Sequence, residues 1–174
     1  MLIITGAMGA GKTSVLAEAS DMLALRHIAH AAIDVDALGL AYVPTAARND
    51  EVMYRNLRSV CNNYAALGVM RFLLARALKN RAELDFCRGV VSAADTAVCR
   101  LTASIETMEQ RVKTREPGVS HPEYVCRVAA LSAILDRVQL EHFSVLNENR
   151  SLPEVAHEML VRASWLPNGC LTIA

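Results

Sequence analysis

Gly6-Ala7-Met8-Gly9-Ala10-Gly11-Lys12-Thr13 follows directly on the apolar run Met1 to Thr5 and leads into an amphipathic stretch. It satisfies G-x-x-x-x-G-K-[ST] at every position. Glycines let the backbone curl so that successive N–H groups turn inward at phosphate oxygens. Lys12 carries positive charge to the β- and γ-phosphates of a nucleotide, and the Thr13 hydroxyl is placed to ligate Mg²⁺. A helix that starts at Lys12 points the positive end of its dipole at the same spot, over Thr13 and Ser14. Gly6, Gly9, Ala10, Gly11, Lys12, Thr13 and Ser14 are therefore the expected nucleotide-binding residues.

Similar apolar runs recur at Ala29 to Ile33, Val69 to Ala75, Ala97 to Thr102 and Phe143 to Leu146. Each is short enough for a strand and apolar on both faces, as a parallel sheet between helices requires. Helical stripes separate them, for example Met53, Leu57, Val60, Tyr64 and Leu67, then Ile105, Met108 and Val112. A last helix is signalled by Ser151-Leu152-Pro153-Glu154, an N-cap serine with an early proline and a capping-box glutamate. Steady alternation predicts an α/β fold. The sheet has five parallel strands flanked by helices, in the P-loop nucleoside triphosphate hydrolase manner, in a single domain spanning 1–174. Pro117, Gly118 and Pro122 separate two helices, and a short lid is expected around 115–122.

Composition narrows the partners. With 18 basic and 18 acidic side chains in 174 residues there is no basic excess to attract nucleic acid. Apolar residues make up 53% and aromatics only 5%, which suits helices over a sheet better than an aromatic-rich sandwich. The five cysteines, Cys61, Cys87, Cys99, Cys126 and Cys170, show no C-x-x-C spacing and read as reduced thiols. The five histidines lack metal-site spacing and read as structural or solvated. The initial apolar run is too short for a signal peptide or membrane span, so a cytoplasmic protein without membrane partner is expected, monomer or homodimer.

Ile33-Asp34-Val35-Asp36 closes the second strand, where ligands sit in an open α/β sheet. Two carboxylates one residue apart can divide the labour: Asp34 for the Mg²⁺ shell, Asp36 to accept the proton of an attacking hydroxyl. The same residues would also serve as caps of a following turn. No Asn-Lys-x-Asp guanine-reading segment occurs, and the third run ends in Arg76 rather than the acidic residue of motor ATPases. ATP-dependent phosphoryl transfer onto a hydroxyl of a small molecule is the expected activity.

The chain resembles the small P-loop kinases related to adenylylsulfate kinase, shikimate kinase and chloramphenicol phosphotransferase, and also tunicamycin-resistance proteins. The resemblance rests on Gly6 to Thr13, on Ile33 to Leu38, on Val98-Cys99-Arg100-Leu101-Thr102-Ala103 with Glu106 to Arg111, and on Phe143 to Leu146. It implies ATP as donor, a carboxylate at Asp36 near the acceptor, and lid arginines at Arg111 and Arg115. Arg111 and Arg115 share a helix face and would neutralise charge on the transferring group. It also implies that the helix after the second strand faces the acceptor, with Arg55 and Arg58 as contacts, and that Arg150 stacks on adenine. Arg81, behind the third strand, is a further acceptor candidate. Ala37-Leu38-Gly39 lacks the arginine of the adenylylsulfate kinase pattern, and Arg76-Ala77-Leu78-Lys79 replaces the glycine-rich turn of shikimate recognition. Neither named substrate is therefore supported, and a metabolite or an antibiotic is the expected acceptor.

Two other readings fit the same residues. One is a nucleotide-binding or sequestering resistance protein without transfer chemistry. The other is a nucleotide or nucleoside kinase, for which Tyr42, Tyr54, Tyr64 and Phe72 are the available base-stacking aromatics.

Overall fold

A computed structural model describes residues 1–41, 49–90, 95–115 and 121–168. The chain alternates β1 (Leu2–Thr5), α1 (Lys12–Leu25), β2 (Ala31–Asp34), a 3-10 turn (Asp36–Gly39), α2 (Asn49–Ala66), β3 (Phe72–Ala75) and α3 (Arg81–Val90). It continues through β4 (Ala97–Thr102), α4 (Ile105–Arg115), α5 (His121–Val138), β5 (Phe143–Leu146) and α6 (Leu152–Arg162). The five strands form one parallel sheet in the order β2-β3-β1-β4-β5. Leu2 is level with Leu73 on one side and Ala97 on the other, so β1 sits at the centre.

Alternation along the strands sorts the core into two layers. Leu2, Ile4, Leu73, Cys99, Leu101 and Val145 face a layer built from α1, α4, α5 and α6. Ile3, Ile33, Phe72, Leu74 and Val98 face α2 and α3. Burial on both faces makes β1 and β3 read as unbroken apolar runs, whereas the edge strands β2 and β5 expose Ala32, Ser144 and Leu146.

Two strands begin later than their apolar runs. The second starts at Ala31 rather than Ala29, and the third at Phe72 rather than Val69. The closure of the preceding helix runs up to Ile28, just before the second run, and takes Val69 of the third. At the end of α1, Ile28 N–H reaches Leu23 O and His27 N–H reaches Ala24 O; at the end of α2, Val69 N–H reaches Tyr64 O and Gly68 N–H reaches Ala65 O. This paired closure needs a left-handed residue, supplied by His27 (φ 53) and Gly68 (φ 85). The third such closure, at the end of α6, uses Ser164 (φ 59). The His30 ring is tied to Ser20 Oγ and to Ile28 O.

The α6 N-terminus follows its sequence signature: Glu154 Oε2 accepts from Ser151 N–H at 2.9 Å and from Ser151 Oγ at 2.7 Å. These bonds lower the Glu154 pKa. At the edge of the sheet, Arg162 of α6 lies over the Phe143 ring at 4.7 Å and donates to Ser144 O at 2.6 Å. No helix among the described residues is long and apolar enough to cross a membrane.

Leu74, fully buried in β3, and Leu67, 81% exposed beyond α2, give a test of this layering. Leu74→Ala is expected to cost about 2–5 kcal/mol of unfolding free energy. Leu67→Ala is expected to change it by no more than about 0.5 kcal/mol. Urea denaturation midpoints distinguish the two.

Candidate active site

The segments that follow β1, β2, β3, β4 and β5 meet at the carboxyl edge of the sheet, the usual ligand side of an open α/β fold. The loop after β1 lies at its centre. Gly11 is the N-cap of α1 at φ 92 and offers no side chain to the first-turn amides. Those amides have no partners within the helix, so the loop is an anion cradle by geometry.

The cradle is braced from behind. Asn147, buried just after β5, donates from Nδ2 to Ala10 O at 2.8 Å. Arg111 donates to Gly9 O at 3.3 Å and to Asn147 O at 2.9 Å. Lys12 Nζ donates to Ala7 O at 3.2 Å. Gly9 (φ 78) sits so close to α4 that a Cβ there would collide with the Met108 carbonyl. At Gly11 a Cβ would collide with the Asn147 amide. Both positions thus require glycine for space as well as for backbone angle.

Beside the cradle, Thr13 Oγ1 donates to Asp34 Oδ2 at 2.8 Å, joining α1 to the end of β2. Asp34 Oδ1 accepts from Asp36 N–H at 3.1 Å, which folds the chain into the 3-10 turn. Asp36 is ion-paired to Arg76, and Arg76 also reaches Asp50 Oδ1 at 3.3 Å. Burial alone would lower the Arg76 pKa, but Asp36, with smaller contributions from Tyr54 and Glu83, more than offsets this and leaves it raised. A cleft of about 600 Å³ opens here, with Lys12, Asp36, Arg76, Lys79 and Arg127 among its lining and an apolar wall of Leu131 and Ile134 from α5. Hard oxygen ligands at Thr13 and Asp34, with few other protein donors, fit a small divalent cation that keeps much of its water and takes oxygens from phosphate. Among the described residues, no group of three or more His, Cys, Asp or Glu forms a cage.

Lys12, Thr13, Ser14, Asp34 and Asp36 are thus brought together at one edge. Other expected site residues lie apart from the cleft. Arg111 is held by the Gly9 and Asn147 carbonyls, on the outer side of the loop. Arg150 is paired to Glu158 at 2.6 Å and bonded to Leu146 O at 3.2 Å. Arg55 and Arg58 line a separate groove of about 780 Å³ between α2 and α3, beside the stacked Tyr54 and Phe86 rings. Arg81 pairs with Asp85 at 3.4 Å on α3. Arg115 ends α4, and the lid residues 116–120 lie outside the described residues, as do Tyr42 and Cys170. Burial pushes the thiols of Cys61, Cys87 and Cys99 up to about 11, 12 and 12.

Three contributors escaped the sequence reading. An arginine ending the wholly apolar Phe72–Ala75 strand was the signal for Arg76. Asn147 and Glu148 follow β5 in a position that only the three-dimensional packing singles out. Glu148 accepts from Ser104 Oγ at 2.7 Å, from Ser104 N–H at 3.0 Å and from Thr107 Oγ1, so it ties the β5–α6 loop to the start of α4. The bonds from Ser104, then Thr107, hold its carboxyl down at about 2. Its depressed pKa makes the contribution to stability full above the ordinary value of 4.5 and lost as pH falls towards 2. Wild type is therefore expected to exceed Glu148→Gln in thermal stability at neutral pH. The difference should shrink between about pH 4.5 and pH 2 in a melting series across that range.

No family model matches the chain, and no curated protein matches it in sequence. Solved structures match its fold. A shikimate kinase from Acinetobacter baumannii in complex with shikimate is 17% identical at a TM-score of 0.61, covering 94% of this chain and 92% of that one. A gluconokinase from Sinorhizobium meliloti 1021 is 17% identical at 0.63, over 94% and 90%. A shikimate kinase from Bacteroides thetaiotaomicron is 15% identical at 0.62, over 95% and 98%. With its five-stranded parallel sheet, its glycine-rich loop at the start of α1 and these neighbours, the chain has the fold of the small P-loop kinases.

Proposed function

We propose that the protein is an ATP-dependent kinase that transfers the γ-phosphoryl group to a hydroxyl of a small molecule, with Mg²⁺. The observation that carries this reading is that Lys12 and Asp36 line one cleft large enough for a small acceptor, with the bonded pair Thr13–Asp34 adjoining them in the chain and through the Asp36 N–H. Clefts that take small ligands commonly enclose about 300–1,000 Å³.

The residues divide the work in space. The first-turn amides of α1 and Lys12 would hold the β- and γ-phosphates. Thr13 and Asp34 would hold Mg²⁺, which when bound supplies positive charge against the phosphate oxygens. Asp36 would orient the acceptor hydroxyl and receive its proton. In the transfer, the acceptor oxygen bonds to the γ-phosphorus while the bond to the β–γ bridging oxygen breaks. The electron pair of that bond leaves with ADP, and the hydroxyl proton passes to Asp36. Phosphoryl transfer proceeds largely by positioning and charge stabilisation, so a shallow array of fixed donors and one acceptor is sufficient machinery. Lys79, after β3, and Arg127, on α5 with the apolar Leu131 and Ile134, add positive charge to the cleft lining.

The test is a screen of hydroxylated metabolites and antibiotics for ADP release, run beside direct measurement of ATP affinity. Wild type is expected to bind ATP with Mg²⁺, and Lys12→Ala to bind it far more weakly. Asp36→Asn is expected to lower turnover on a discovered acceptor by about 10²–10⁴-fold while ATP affinity barely changes. Lack of any affinity for ATP in the presence of Mg²⁺ would contradict the proposal. Retained turnover in Asp36→Asn would remove Asp36 from the chemistry.

A further inference from the structure

Arg76 follows β3, the strand beside β1, and is 8% exposed. A guanidinium so deeply placed is costly unless it is paired. It has two anionic partners from two different elements: Asp36 on the 3-10 turn through Nη1, and Asp50 on α2 through Nη2 at 3.3 Å. The neighbouring Tyr54 phenol does not compete as an anion, because burial first, then Cys87 and Glu83, raise its pKa. Neither the Tyr54 hydroxyl nor Arg76 Nε makes a hydrogen bond of good geometry. The two carboxylates are what hold the guanidinium.

The effect on Asp36 is specific. The terminal torsion of an aspartate is broad and two-fold, so a free carboxylate presents either oxygen over a wide range of angles. The ion pair occupies Oδ1, and the backbone N–H of the same residue is fixed on Asp34. Asp36 Oδ2 is left without a hydrogen-bond partner among the described residues, on a side chain that lines the cleft with Lys12. Small errors of placement are expensive in rate when two reacting groups must meet.

We infer that Arg76 is a positioning residue, which through its ion pair fixes the Asp36 carboxylate that receives the acceptor hydroxyl, with Asp50 as its outer anchor. This rests on the reading of Lys12, Asp34 and Asp36 as a phosphoryl-transfer site.

The experiment measures ATP hydrolysis with Mg²⁺, water standing in for the acceptor, together with ATP affinity and melting temperature. The proteins are wild type, Arg76→Gln, Arg76→Lys, Asp36→Asn and the double variant Arg76→Gln/Asp36→Asn. Arg76→Gln is expected to lose at least about tenfold in kcat with ATP affinity almost unchanged, and Arg76→Lys to recover part of that loss. In the Asp36→Asn background, Arg76→Gln should cost nothing further, because two residues that act through one contact are not additive. An equal loss in both backgrounds, or a loss of ATP affinity that matches the loss of rate, would overturn the inference. If Arg76→Gln does not fold, Asp50→Asn takes its place, with a smaller loss expected that again disappears in the Asp36→Asn background. An equal loss in both backgrounds overturns the inference there too. Absence of ATP affinity in wild type would instead defeat the underlying reading, and hydrolysis undiminished in Asp36→Asn would defeat both.

Discussion

A peptide group has two ends, and a loop that aims its N–H groups inward must turn carbonyls outward and satisfy them. This chain meets that requirement with side chains from remote segments. Ala10 O is bonded by Asn147 and Gly9 O by Arg111, while Ala7 O takes Lys12 Nζ. Asn147 in turn hands its own carbonyl to Arg111 and its N–H to Thr102 O. A loop of glycines and alanines, which lose much conformational freedom on ordering, is therefore pinned by residues of β4, α4 and the end of β5. Sheet order brings this about: β4 runs beside β1 and β5 beside β4, so their trailing segments arrive at the back of the loop.

The glycine-rich loop and the fold were legible because both leave a local mark in the sequence. The central strands are packed between helices and largely apolar on both faces, and the edge strands β2 and β5 keep enough apolar residues for all five runs to be visible as runs. Their starts at Ala31 and Phe72 were not, since hydropathy does not register which amides a preceding helix retains. Glycine would have flagged the paired closures, but His27 and Ser164 hold the left-handed position in two of the three. Asp34 and Asp36 were legible as a pair, whereas the partners that hold them come from residues 21 positions earlier and 40 positions later. Arginine placement was the least legible feature. Arg111, Arg150, Arg55, Arg58 and Arg81 all lie on elements near the site, yet a long flexible side chain takes whichever acceptor its surroundings offer. Here those surroundings are loop carbonyls, Glu158, the α2–α3 groove and Asp85.

Charge in the second layer follows a different rule from charge at the surface. Arg76, just after β3, and Arg100, within β4, are both almost fully buried, and both span two carboxylates: Asp36 with Asp50, and Asp136 with Glu141. In each case the carboxylates come from separate segments, so a single guanidinium joins two parts of the chain. Arg100 does this for the end of α5 and the turn before β5. Removing one partner of such an arrangement leaves a desolvated charge behind, and that asymmetry makes these residues harder to replace than their small contact area suggests.

The contact between α6 and the border of the sheet has a consequence for behaviour in a crowded solution. An outermost strand presents unmet backbone groups to any extended chain that drifts past. Arg162 occupies the Ser144 carbonyl of β5 and sets a cation across Phe143. A chain adding itself as a sixth strand beside β5 must displace this guanidinium from Ser144 O. The protein thereby guards its open border with a residue that also belongs to its own core-covering helix.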